Sequence, residues 1–511
     1  MDSIEQQMGQ RLVVGFHGLT APDYLLEWLE AGRVGGVILF QRNVENPEQL
    51  AALTQSLHAA ARTPLLIGID QEGGEVARLR GWFTEAPSAM ALAAGGGQYA
   101  EAVAGVLGEE MRALGINWNF APVVDISYNA ANPSVGTRSP GADPRRVADV
   151  AAAQVAGYQA AGVAACAKHF PGLGNTAIDT HVALPSIDTP LEDLIDADLL
   201  PYRAVIEAGV ASIMTTHTIF AALDPALPAT LSPNIVPTLL RGILGFDGVA
   251  MTDCLEMGAI TAHHAPAESA ALAAAAGVDL ILFSHTREVQ EEAYRGLIEA
   301  ARSGRISEEN RVESLRRIQA MKQAYAITEP PNLDAIRSAA HIETVTAAAQ
   351  AGIQLVRAQG VVPLPDHVSV ALVEFPSIHD SVVFDATGQT GLAARLLARR
   401  PDTTVVALSR GLPEQDVEKA LDAARSAGVT ILATRSVHLS PEHMRVANAV
   451  LSAAHISVLV ALRNPYDVGA LPDADAALCS FGGAEPQLDA VIGALLGDYV
   501  PTGSASVTLG G

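Results

Sequence analysis

The stretch AACAKHFPGLGNTAIDTHVALP, residues 164–185, starts with the pattern of a buried strand and ends in an irregular loop. Small apolar residues lead up to Lys168 and His169. Pro171, Gly172 and Gly174 then break any regular element, and Asp179 and His181 follow two residues apart. Packing alone does not call for four such side chains after one apolar run.

Seven other runs share the strand pattern: LVVGF (12–16), GVILF (36–40), PLLIGI (64–69), INWNFAP (116–122), ASIMTTH (211–217), GVAMT (248–252) and VDLILFS (278–284). Helix-length segments separate them, among them DYLLEWLE (23–30), EQLAALTQSLHAAA (48–61), PRRVADVAAAQVAGYQAAG (144–162) and ESAALAAAAG (268–277). Strands alternating with helices imply a parallel sheet. Eight such units in this span suit a (β/α)8 TIM barrel, expected over residues 1–330. An open, doubly wound eight-stranded sheet is the competing arrangement.

The prolines of ITEPPNLD (327–334) mark a boundary, and residues 331–342 are expected to be a linker. Beyond it TVTAAAQAGIQLVR (344–357) reads as a helix. Five further strands are expected at VSVALVEF (368–375), TTVVALS (403–409), VTILATRS (429–436), ISVLVALR (456–463) and DAALCSF (475–481). Residues 343–511 are therefore expected to form a C-terminal three-layer α/β sandwich.

Of the 511 residues, 49% are hydrophobic and 17% charged, a globular composition. The formal net charge of −24 opposes phosphate backbones and anionic lipid, so no nucleic-acid and no membrane partner is expected. No apolar run is long enough to span a bilayer. The start, MDSIEQQMGQ, lacks the basic-then-apolar pattern of a secretory leader, and a cytoplasmic location is expected. Cys166, Cys254 and Cys479 give no disulfide framework and read as small core residues.

The strand ends carry the functional signal. Asp70, Asp125, Lys168 with His169, His217, Asp253 and Ser284 with His285 all follow the apolar part of a strand. In a barrel these ends form one rim, where the active site lies. A single rim Asp can be a helix cap, and a single His is more often structural. Convergence on one rim is what points to catalysis. Breaking a glycosidic bond needs one group to attack or stabilise the anomeric carbon and another to protonate the leaving oxygen. Asp253 suits the first role. His181 suits the second, because in an extended stretch Asp179 points the same way and fixes the imidazole tautomer.

KHFPGLGNTAIDTHVALP, IDQEGGEVARL (69–79), NPSVGTRSPGADP (132–144) and MTDCLEMGAI (251–260) together resemble glycoside hydrolase family 3, and within it the NagZ-type β-N-acetylglucosaminidases. The resemblance covers nearly the whole chain. It implies an exo-acting, retaining double displacement that releases terminal β-linked N-acetylglucosamine from cell-wall or chitin-derived saccharides. By motif position Asp253 would be the nucleophile and His181 the acid/base, paired with Asp179. Asp70, Arg78, Arg138, Lys168 and His169 would bind the sugar, with His217 as a further neighbour. Leu173 stands where the family often has histidine, which removes a polar loop residue. A neutral histidine acid/base also admits phosphate as acceptor, so a phosphorylase is the alternative. A non-catalytic sugar-binding protein is the second alternative, opposed by the presence of both Asp253 and the Asp179–His181 pair.

No metal and no cofactor is expected. Metal-dependent barrel hydrolases need His-x-His after the first strand, whereas GFHGLT carries His17 alone, and His263–His264 are adjacent. GLGNT (172–176) and AGGGQ (94–98) complete no nucleotide-binding motif.

Overall fold

The eight apolar runs become strands that lie side by side in one sheet. The computed structural model describes residues 3–176, 183–378 and 391–509. Its barrel strands are Leu12–Val14, Gly36–Leu39, Leu66–Ile69, Trp118–Asn119, Ala164–Phe170, Ser212–Thr215, Val249–Thr252 and Ile281–Phe283. All pairings are parallel and follow chain order, and the first strand pairs with the eighth. The seam between the seventh and eighth is held by a Met251–Leu280 bridge. There the Leu282 N–H donates to the Thr252 hydroxyl at 2.9 Å. The barrel is thus nearly closed, as expected.

Period-two alternation explains the core. Val13, Ile38, Leu66, Trp118, Cys166, Met214, Met251 and Leu282 point into the barrel, while Val14, Val37, Ile67, Ala165, Ile213, Ala250 and Phe283 face the helices. Ile318 and Met321 of the helix Glu308–Ala324 join the interior cluster, with Cys254 and Met257 among its other members. The fourth strand is shorter than expected. Its regular pairing ends at Asn119, and past Pro122 a single Val123–Lys168 bridge continues the contact with the fifth strand. The fifth runs on to Phe170, with a register shift between Lys168 and Phe170.

The second sheet has the spatial order Gln354–Arg357, Ala476–Cys479, Ser457–Ala461, Val429–Thr434, Val370–Glu374, Thr404–Ala407. Only the first of these runs antiparallel. Here the sequence reading needs correction. The helix expected over 344–357 is Ala339–Gly352, and residues 354–357 form an edge strand. Gly352 packs so closely on the preceding domain that a Cβ there would lie 2.7 Å from the Ala91 carbonyl oxygen. The same helix begins within the stretch expected as linker.

Apolar residues on one face of this sheet (Leu372, Ile431, Val460, Leu478) pack with Leu392, Leu488 and Val491 from helices. Those on the other (Val373, Leu432, Leu459, Ala477) pack with Ala420, Ala424, Val446 and Val450. Helices therefore cover both faces, giving the three expected layers. This domain also braces rim loops of the barrel. Ser88 Oγ donates to the Phe481 carbonyl at 2.5 Å, Tyr466 Oη lies 3.3 Å from Ser127 Oγ, and Arg463 Nε lies 4.0 Å from Glu75 Oε2. No helix among the described residues is long and apolar enough to cross a membrane.

Candidate active site

A cavity of about 680 Å³ opens at the C-terminal ends of the barrel strands. Asp70, Arg78, Arg138, Lys168, His169 and Asp253, all expected at the site, line it. The register shift in the fifth strand helps two consecutive side chains, Lys168 and His169, reach the same cavity.

The polar wall is a connected network. Lys168 Nζ lies 2.7 Å from Asp70 Oδ1 and 2.6 Å from Glu72 Oε1. Arg138 binds Glu72 through both Nε and Nη2, and its Nη1 donates to the Ser134 carbonyl at 2.9 Å. Arg78 Nη2 lies 3.5 Å from Asp70 Oδ2. Burial would raise the carboxyl of Asp70, but Lys168 and Arg78 outweigh it and hold the group well below the usual range. Burial likewise opposes ionisation of Glu72, and Arg138 with Lys168 outweighs it, down to about 2. Burial would lower Lys168, but Asp70 and Glu72 more than offset it, so its ammonium is held above its ordinary range. The wall thus presents ionised acceptors and donors together, the mixture that neighbouring sugar hydroxyls require.

His169 stands behind this wall, tied to Asp125. Its Nδ1 is 2.7 Å from Asp125 Oδ2, and its backbone N–H donates to Oδ1 at 3.2 Å. Asp125 Oδ1 also accepts the Leu173 N–H at 2.6 Å. Leu173, which stands where a histidine is the more usual expectation, is 3% exposed and lines the cavity.

Asp253 follows the seventh strand, and the Cys254 N–H donates to its Oδ1 at 2.7 Å. His217, expected to touch the sugar, is placed differently. It is fully buried and is not among the cavity-lining residues. Its Nε2 lies 2.9 Å from the Cys254 carbonyl and its Nδ1 2.9 Å from Thr230 Oγ1. It therefore braces the peptide that follows Asp253. Asp179 and His181 lie outside the described residues.

Glu72 and Asp125 were visible in the sequence as residues following strands, but nothing there marked them as partners of Arg138, Lys168 and His169. Phe40, Arg42, Cys254, Glu256 and His285 also line the cavity, and Arg78 Cζ lies 5.7 Å from the centre of the Phe40 ring. Cys254, Glu256 and His285 have potential ligand atoms within 4.8 Å of one another. Each already has a protein partner. Glu256 accepts the N–H groups of His285 and Thr286, and Ser284 Oγ bonds both Cys254 Sγ and His285 Nδ1.

Comparison with known proteins follows the same lines. Residues 3–321 match the family model described as glycosyl hydrolase family 3 N terminal domain. Beta-hexosaminidase A of Pseudoalteromonas piscicida is 34% identical over 403 residues, covering 73% of this chain and 67% of the relative. A beta-hexosaminidase of Thiobacillus denitrificans is 41% identical over 266 residues, 51% of this chain and 74% of the relative. The solved structure of a glycoside hydrolase family 3 beta-N-acetylglucosaminidase from Paenibacillus sp. superimposes with a TM-score of 0.95 at 35% identity, covering 100% of this chain and 99% of that one.

Proposed function

The chain belongs to glycosyl hydrolase family 3, and from that premise we propose that it is an exo-acting β-N-acetylglucosaminidase working by retaining double displacement. The observation that carries this reading is the meeting of Asp253 with Asp70, Arg78, Arg138, Lys168 and His169 around one cavity at the barrel rim.

In this reading the polar wall holds the hydroxyls of a terminal N-acetylglucosamine. Asp253 attacks the anomeric carbon as the glycosidic C–O bond breaks, and His181 gives its proton to the departing oxygen. A covalent glycosyl–Asp253 ester results. His181, now a base oriented by Asp179, takes a proton from water. That water displaces Asp253 and restores the β configuration. Asp253 is suited to nucleophilic attack because the Cys254 N–H orients it and His217 braces the next carbonyl. The substrate class is a saccharide ending in N-acetylglucosamine, of cell-wall or chitin origin. The three free, buried thiols fit a reducing compartment, and we assign the protein to the cytoplasm.

The test is to incubate the protein with an aryl β-N-acetylglucosaminide, with and without phosphate, and to follow the first product by NMR. Free β-N-acetylglucosamine under both conditions supports the proposal. An initial α product overturns the retaining mechanism, a sugar 1-phosphate overturns hydrolysis, and no turnover overturns the enzyme reading.

A further inference from the structure

The segment after the fourth barrel strand clamps the loop after the fifth. Asp125 holds the Leu173 N–H, and Gly174 lies so close to this segment that a Cβ there would sit 1.7 Å from the Ile126 carbonyl oxygen. Asn132, 3% exposed, completes the clamp. Its Nδ2 donates to the carbonyls of Leu173 at 3.0 Å and Gly174 at 3.2 Å, and lies 3.3 Å from Thr176 Oγ1. Its Oδ1 accepts the N–H groups of Ser134 and Val135, both at 2.9 Å. These partners fix the orientation of the amide, because the reverse would set NH2 against two donors and oxygen against two carbonyls.

The two halves of this side chain therefore serve two segments. The oxygen shapes the turn from which Gly136–Arg138 departs, and that turn delivers Arg138 to Glu72. The NH2 group ties down residues 173–176, after which the chain continues to Asp179 and His181. We infer that Asn132 is a positioning residue that couples the sugar-holding turn of Arg138 to the segment leading into the acid/base pair, its NH2 half serving proton transfer and its oxygen half serving sugar binding. The inference rests on the role proposed above for His181.

Asn132→Asp separates the halves. It keeps the acceptor and replaces NH2 with an oxygen that faces two carbonyls. A 2,4-dinitrophenyl leaving group departs without a proton, so its kcat/KM should stay within about 3-fold of wild type, as should inhibition by N-acetylglucosamine. An unactivated phenyl β-N-acetylglucosaminide needs the proton, and its kcat/KM should fall roughly 10²-fold. Added azide, a nucleophile that needs no general base, should accelerate breakdown of the glycosyl-enzyme in this variant. Asn132→Ala removes both halves and should also weaken N-acetylglucosamine binding. Thr176→Val removes one Nδ2 partner and should show the same leaving-group dependence in smaller measure, which decides the matter if Asn132→Asp does not fold.

An equal loss on both glycosides, or no loss on either, overturns the inference while the function stands. A wild-type protein that turns over neither glycoside overturns the function and the inference together.

Discussion

Arg138 grips Glu72 with a fork, Nε 2.8 Å from Oε2 and Nη2 2.8 Å from Oε1. Both side chains are 5% exposed. Lys168 shares the same carboxylate, so Glu72 offsets two cations that would otherwise face each other in a buried wall. Glu72→Gln should therefore cost about 3 kcal/mol of stability, since breaking one partner of a buried pair strands the other charge. Denaturant unfolding of the variant measures this, and an unchanged midpoint would show that the fork contributes nothing.

Asp253→Gly should lower kcat on the order of 10⁴-fold or more if Asp253 is the nucleophile. Azide should then attack the anomeric carbon directly and give an α-glycosyl azide, identified by NMR. A β-azide from this variant would mean that another residue forms the covalent intermediate.

How far these roles were legible follows from what sequence order encodes. Period-two alternation and strand ends showed which side chains reach the rim, and Asp70, Lys168, His169 and Asp253 met there as expected. Sequence order gives height along the barrel but not direction around a strand end. His217 is at the right height, yet it turns toward the Cys254 carbonyl. Glu72 was legible as a neighbour of Asp70, whereas its partner Arg138 lies 66 residues away and only folding joins them. The edge strand at 354–357 was hidden because its alternation continues directly from an Ala-rich helical stretch.

His217→Leu removes the brace on the Cys254 carbonyl, next to the proposed nucleophile Asp253, without altering the described polar wall. We expect kcat to fall about 10- to 100-fold through displacement of Asp253, with N-acetylglucosamine inhibition nearly unchanged. A matching loss in inhibitor affinity would return His217 to the sugar-binding set.

Acid should weaken the fold through this same wall. Glu72 titrates near 2 in the folded chain and near 4.5 in its ordinary state, and Asp70 is depressed in the same direction. Their contribution is fully present above the ordinary value and is lost as pH falls from about 4.5 toward 2. Thermal unfolding across that window should show a shallower fall for Glu72→Gln than for the wild type. Equal slopes would remove Glu72 as a source of acid sensitivity.

Asp198 works in the opposite direction. Burial first, and then the charge of Asp125, push its carboxyl up to about 7. It lies under the loop after the fifth strand, where a Cβ on Gly172 would be 3.1 Å from its Oδ1. The folded chain tolerates this group best when protonated, so stability declines as pH rises from about 3.8 to about 7 and levels off above that. Asp198→Asn should raise the melting temperature at pH 8 and do so less at pH 5. A variant less stable than wild type at pH 8 would refute this account.

The bracing of rim loops by the second domain bears on how such an enzyme can change over generations. Loops at a barrel rim ordinarily diverge with little penalty to the scaffold. Here Glu75 faces Arg463, Ser127 meets Tyr466, and a Cβ on Gly136 would lie 2.6 Å from Asn464 Oδ1. A substitution in those two loops must satisfy two domains at once, which restrains drift in the polar wall of the cavity. Phe40, Arg42, Cys254, Glu256 and His285, which line the same cavity, come from other barrel loops. Selection for a new aglycone should therefore leave its mark there, and libraries built to widen the substrate range should begin with those loops.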